Sequence, residues 1–563
     1  MQLTKSYLFY LKGFVRPKFG FFYFLLFVFY FSTAQPVKNV TSKVPLPTFK
    51  KDTFNIKNFG GIADGITLNT NSIQKAIETC SLKGGGVVKV PQGLWMTGPI
   101  VLKSNVNLYI ERDAVLQFTS DFSQYKLVAG NWEGQPNARN QSPISAEGAT
   151  NIAITGSGII DGNGDAWRGV KKDKLTETQW QAKLASGGFL SADKKTWYPS
   201  EKSLKGSTTK DAGVLKDGKT PADFEDIKDF LRPNLVVLNS CKNVLLEGVT
   251  FQNSPAWNLH PLLCENLTVR NVYAKNPWYA QNGDGIDVES CNNVLLENST
   301  FDVGDDGICI KSGRDEAGRK RGKPTQNMMV RNCIVYHAHG GFVIGSEMSG
   351  GVKNLYVSNC SFIGTDVGLR FKTARGRGGV VENIYVSDIT MKDIAGEAIL
   401  FDEYYMAKDP VPLAGETREP PAIEAQPVDD GTPQFKNFYI TNVVCNGAEK
   451  GIFIRGLPEM QVKNIVLENM VLKSNKGIEC IEANNIVFNN IKLVAADTSP
   501  LVFIQNSSNI AFDKLLYDKA ETLFSLSGER LKAIAITNTN TSNAKTVTTF
   551  THGATDKEVK MNK

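Results

Sequence analysis

Asn293-Val294-Leu295-Leu296-Glu297-Asn298-Ser299-Thr300-Phe301 is the stretch that decides the fold. It opens on asparagine, alternates apolar residues, breaks at small polar residues and ends on another apolar pair. The pattern recurs from Asn243, Asn266, Asn327, Asn354, Asn383, Asn437, Asn464, Asn485 and Asn509, with an earlier copy at Asn151. From Asn243 on, successive copies lie 21 to 34 residues apart, apart from one double step. Alternation of this kind belongs to short β-strands, and a fixed period of this length belongs to a solenoid. Helical repeats would show a 3.6-residue period, and a β-propeller needs four strands per ~40–45 residues. The expectation is an all-β right-handed parallel β-helix. Its inward residues stack in apolar ladders, and each turn asparagine hydrogen-bonds to its copy in the next coil.

Outward from the repeat, 52–120 reads as an opening module, with a small capping helix over Thr70–Cys80. Segments 165–232, 314–324 and 404–433 break the period and are expected as loops inserted into one β-helix domain, 35–538. The Thr-, Asn- and Lys-rich 539–563 is expected to be a flexible tail. Residues 1–34 read as a signal peptide: Lys5, Lys12, Arg16 and Lys18, an apolar run Phe21–Phe31, then Ser32-Thr33-Ala34. That run is short for a span of ~20 residues, so stable membrane insertion is not expected. The expected location is periplasmic or extracellular. Losing four cations and no acids takes the formal charge from +6 to +2. A nucleic-acid partner then lacks electrostatic support. The nine cysteines sit in apolar runs without a CxxC pair, so we expect buried free thiols and no metal or other cofactor.

Four segments carry chemistry. They are Asn282-Gly283-Asp284, Asp305-Asp306, Ala338-His339-Gly340 and Arg370-Phe371-Lys372. Each lies about one coil after the last, once the basic segment 314–324 is set aside. Neighbouring coils stack ~4.8 Å apart, so the repeat gathers three carboxylates, an imidazole and two cations on one face. Adjacent carboxylates push their pKa values apart, which is what an acid and a base at one glycosidic bond need. Arg370 and Lys372 share a strand face and could hold an anionic sugar. Asp287 reads as a turn support and Cys309 as a core residue.

These four motifs, in this order and spacing, resemble glycoside hydrolase family 28, the polygalacturonases. The family pattern is Asn-Thr-Asp, Asp-Asp, Gly-His-Gly and Arg-Ile-Lys. The departures, Gly283, Ala338 and Phe371, remove no ionisable group. The resemblance spans nearly all of the chain after the signal peptide. It implies a parallel β-helix that hydrolyses α-1,4-galacturonosidic bonds in pectic polysaccharide with inversion. Asp305 would be the general acid, and Asp284 and Asp306 would activate water. His339 would tune the acid, while Asn282, Arg370 and Lys372 would bind substrate.

Trp257, His260 and Tyr404 are added as candidate groove residues. The insertions point to an obstructed groove and so to exo action, with the basic 314–324 segment facing the terminal sugar acid. Alternative readings are a rhamnogalacturonan or xylogalacturonan hydrolase of the same family, a β-helix pectate lyase and a non-catalytic glycan-binding β-helix.

Overall fold

The asparagines do what their spacing requires. Asn243, Asn266, Asn293, Asn327, Asn354, Asn383, Asn437, Asn464, Asn485 and Asn509 all take left-handed backbone, with φ between 54° and 60°. Asparagine tolerates this conformation better than other side chains with a Cβ. Each then spends its side-chain amide on the stack. Asn266 donates to Asn243 at 2.9 Å, Asn293 to Asn266 at 2.6 Å and Asn464 to Asn437 at 3.0 Å. A second left-handed corner follows five residues later at Asn271, Asn298, Asn332, Asn359, Asn442, Asn469 and Asn490. There Asn332 donates to Asn298 at 3.0 Å and Asn490 to Asn469 at 2.8 Å.

The computed structural model describes residues 43–405 and 424–562, so the expected signal peptide and most of the 404–433 insertion lie outside the described residues. The described chain winds as a parallel β-helix. One face is a sheet of 14 strands, and the remaining long strands form a second, larger parallel sheet that bends at the asparagine corners. Register runs unbroken along the 14-stranded face: Leu259, Ile286, Ile308, Phe342, Leu369, Ile399, Ile452, Ile478 and Val502 are successive partners. All are buried and point inward. A one-residue slip would turn this whole ladder to solvent, so burial pins the register. All nine cysteines are buried and free.

The helix Thr70–Leu82 packs Ile73, Ala76, Ile77 and Cys80 into the same core. The insertion 165–232 is folded rather than loose: helices Glu177–Ala185 and Glu201–Thr208 accompany a small antiparallel sheet around Trp180 and Trp197. An antiparallel hairpin, Leu127–Trp132 with Gln135–Asn140, was not legible in the repeat. Segment 314–324 holds the helix Asp315–Arg321. The expected flexible tail is corrected. Ala544–Thr551 pairs in parallel with Ala520–Ser527, and Val559–Asn562 with Lys532–Thr537. Threonine is β-branched and fits a half-exposed pleat, and Phe550 packs on the core.

Candidate active site

Three backbone hydrogen bonds set the candidate catalytic residues in register. Gly285 N–H donates to the Asp306 carbonyl at 2.9 Å, Gly307 N–H to Gly340 at 2.9 Å and His339 N–H to Asp305 at 3.0 Å. Asp284, Asp305-Asp306 and His339 therefore stand in three successive coils, each just before a strand of the 14-stranded face. Asp284, Asp305 and Asp306 each bring a carboxylate oxygen within 4.8 Å of the others. The sequence-derived cluster is thus assembled. Its outward ladder continues as Asp287, Cys309, Val343 and Arg370.

The three carboxyls differ in environment. Asp305 opens to the cleft, with its side chain 18% exposed. Its Oδ1 accepts the Asp306 N–H at 2.9 Å and lies 3.2 Å from His339 Nδ1; its Oδ2 accepts the Asn282 N–H at 3.1 Å. The Asp305 hydrogen bond, reinforced by the neighbouring carboxylates, raises the His339 pKa against the effect of burial. Asp306 is buried. Burial alone would raise its pKa, but Lys372 Nζ at 2.7 Å, Arg370 Nη1 at 3.3 Å and Lys311 hold it well below the usual carboxylate range. Asp284 is also buried, and its Oδ1 has no hydrogen-bond partner. Burial, then the charges of Asp287 and Asp305, push its pKa well up.

Beneath these lies a group that sequence reading misjudged. Asp287 is no turn support: it stands on the strand Ile286–Glu289, fully buried, with neither carboxylate oxygen hydrogen-bonded. Lys311 Nζ is 3.6 Å from it and 2.9 Å from Glu347. Cys309 is corrected too. Strand alternation sends Ile308 and Ile310 inward, so Cys309 faces outward, with Sγ 3.7 Å from Asp306 Oδ2.

The added groove candidates fare less well. Trp257 is buried under a stack with Trp132, ring centroids 5.2 Å apart, and His260 is buried between Glu289 at 2.9 Å and Asn234 at 3.2 Å. Both support the cleft rather than line it. Tyr404 is buried between Arg375 and Arg455; the residue beside the site is Tyr405, its ring 4.9 Å from Lys372 Nζ and 5.7 Å from Arg370. Two adjacent tyrosines in a period-breaking segment offered no phase by which to choose. Arg232 was also missed: it donates to Asn282 Oδ1 at 2.8 Å.

Residues 205–417, which hold all four motifs, match the family described as Glycosyl hydrolases family 28. A probable polygalacturonase of Vitis vinifera is 31% identical over 344 residues, 59% of this chain and 60% of that relative. An exo-poly-alpha-D-galacturonosidase of Dickeya chrysanthemi is 29% identical, over 78% of this chain and 73% of the relative. The crystal structure of a hyperthermoactive exopolygalacturonase from Thermotoga maritima is similar with a TM-score of 0.64 and 30% identity, covering 80% of this chain and 93% of that one. Among the described residues, no helix is long and apolar enough to cross a membrane. With motifs, coil order and a structural match over 80% of the chain in agreement, this chain belongs to glycoside hydrolase family 28 and is a glycoside hydrolase.

Proposed function

We propose that the enzyme hydrolyses α-1,4-galacturonosidic bonds of polygalacturonate, with inversion and from a chain end, after export. The observation that carries the reading is the trio of carboxyls in three unlike environments: one open to the cleft, one clamped by cations, one buried and favouring its neutral form. The named activities of the Dickeya and Thermotoga relatives support the substrate. Asp305 donates the proton to the leaving oxygen, and His339 orients it. Water sits against Asp284 and Asp306, and Arg370 meets the sugar carboxylate.

The spacing favours a second reading. Carboxylate oxygens within 4.8 Å are closer than the ~6.5–9.5 Å usual for inversion and nearer the ~5–5.5 Å of a double displacement. Against that, Asp306 has both oxygens engaged by cations and is a poor nucleophile. The anomeric configuration of the first-formed product, followed by NMR, decides: inversion is expected, and retention would make one carboxylate a nucleophile.

The pH profile follows from the environments. Asp284 must be ionised to take the water's proton, and its raised pKa means that activity falls as pH drops through a value above the ordinary carboxylate range. The Asp305 hydrogen bond raises the His339 pKa against the effect of burial, so loss of its proton sets the alkaline limb above the ordinary imidazole range. A bell-shaped kcat/KM is expected, and His339→Gln should remove the alkaline limb. An unchanged alkaline limb in that variant assigns it elsewhere.

Exo action rests on insertions tied together beside the carboxylates. Arg314 reaches Glu133 at 3.0 Å, and Gln135 reaches Asp315 at 3.4 Å. On the other side Arg319 donates to the Gly376 carbonyl at 2.6 Å, and Arg377 meets Asp315 at 2.5 Å. Arg314, Arg319, Lys320 and Arg321 are all engaged with protein groups. The segment is therefore braced against its neighbours, with most of its cations engaged and Lys323 left exposed. On polygalacturonate, slow viscosity loss relative to reducing-end release is expected, and shortening 314–324 should lengthen the products. Rapid viscosity loss with mid-length oligomers would show an open groove.

A further inference from the structure

Two arginines near the cleft make no direct ion pair among the described residues. Arg139 lies on the strand Gln135–Asn140, and Arg232 ends the 165–232 insertion. Arg139 is 9% exposed, with its guanidinium 3.6 Å from the Trp132 ring centroid, and Trp132 stacks in turn on Trp257. Arg139 donates from Nη2 to the Arg232 carbonyl at 2.5 Å, and its Nε has no partner. Arg232 donates to the carbonyls of Pro255 and Gln281, both at 2.9 Å, and to Asn282 Oδ1 at 2.8 Å. Among the described residues no carboxylate comes within 4.0 Å of either guanidinium. Glu133, the acid nearest Arg139, is taken up by Arg314.

Buried charge without a counter-ion is strongly unfavourable, and two like charges side by side are worse. The cost shows in both groups: burial and then the neighbouring arginine depress Arg139, and burial and then Arg168 bring Arg232 down to about 10, with Glu133 offsetting part of this for Arg139 and Asp305, Glu133 and Asp284 part of it for Arg232, none of them as a direct ion pair. A bound anion would reverse both effects. The location says which anion. Arg232 holds Asn282, whose N–H donates to Asp305. The pair therefore flanks the general acid on the side of the earlier coils, while Arg370 flanks it through Asp306 on the side of the later ones.

We propose that Arg139 and Arg232 form a second carboxylate-binding point, for a uronate residue across the scissile bond from the sugar held by Arg370. The proposal rests on the uronide reading above. The planar guanidinium fork suits a sugar carboxylate, and the Trp132 face beneath Arg139 keeps that fork in place. Two cationic points astride the bond would fix both the position and the direction of the chain.

The test uses trigalacturonates carrying one methyl ester at a time. For the wild-type enzyme, two of the three positions should each raise KM about tenfold when esterified, the loss of one charge-assisted contact. Arg139→Gln should abolish discrimination at one of them, Arg139→Lys should restore part of it, and Arg370→Gln should abolish it at the other. A folded Arg139→Gln enzyme that discriminates like wild type overturns the proposal. So does a wild-type enzyme sensitive to ester at one position only, a result that needs no variant. A wild-type enzyme inert on every trimer and on polygalacturonate overturns the substrate reading instead.

Discussion

Asp305→Asn is expected to lower turnover on polygalacturonate by about three to four powers of ten, the scale of losing a positioned acid. The side chain keeps its shape. One oxygen still accepts a backbone N–H, and the new amide faces the other donor, so the cost in stability is about 1 kcal/mol. The open position of Asp305 is the reason to choose it as the donor. Asp284 and Asp306 are 3% and 2% exposed, and Asp306 is spent on Lys372 and Arg370. The measurement is kcat at the pH optimum with a matched unfolding transition. Near-normal activity from a folded Asp305→Asn protein refutes the assignment. Asp284→Asn should cost a similar amount through the water, with the acidic limb of the pH profile lost as well.

The fold was legible because asparagine has a local reason to recur. It adopts left-handed backbone at low cost, and its amide can bridge coils, so Asn266, Asn293 and their copies mark each turn in the sequence itself. The second corner was harder to see, since Asp388 and Lys514 take the same conformation at its level as Asn442 and Asn490. The tail failed for a different reason. Thr546, Thr548 and Thr549 read as polar, but in a last coil one face stays wet, and strand pairing requires only a backbone partner.

The candidate catalytic residues were legible because the coil converts sequence period into distance. Asp284, Asp305, Asp306, His339 and Arg370 needed only the register. Trp257 and His260 were candidate groove residues, but a hairpin absent from the repeat brings Trp132 over Trp257, and both side chains are buried. Arg139 and Arg232 come from segments with no periodic phase, so nothing in the chain order said where they would point. Their signal exists only in three dimensions, as largely buried guanidinium groups that form no direct ion pair among the described residues.

Lys372→Met should be nearly as damaging as Asp305→Asn, and on esterified and free substrate alike. Sequence reading treated Arg370 and Lys372 as one clamp on the sugar carboxylate. The structure divides them. Lys372 is buried and donates to Asp306 Oδ2 at 2.7 Å. Arg370 keeps its side chain 18% exposed, so of the two it is the one proposed to meet the substrate. Without Lys372 the burial of Asp306 is opposed only by Arg370 at 3.3 Å and by Lys311, so its pKa rises and the ionised form that activates water is disfavoured. Water activation then fails whatever the substrate's charge. Breaking a buried pair by removing one partner costs about 3–5 kcal/mol, and here the sign depends on pH. Asp306 has a depressed pKa in the folded state, so the pair's contribution is present above the ordinary carboxylate range near ~3.9 and is lost as pH falls below it. Urea unfolding should therefore separate wild type from Lys372→Met at pH 7, and the gap should narrow steadily as pH falls below ~4. Activity lost only on unesterified substrate, with stability unchanged at pH 7, would return Lys372 to the sugar clamp.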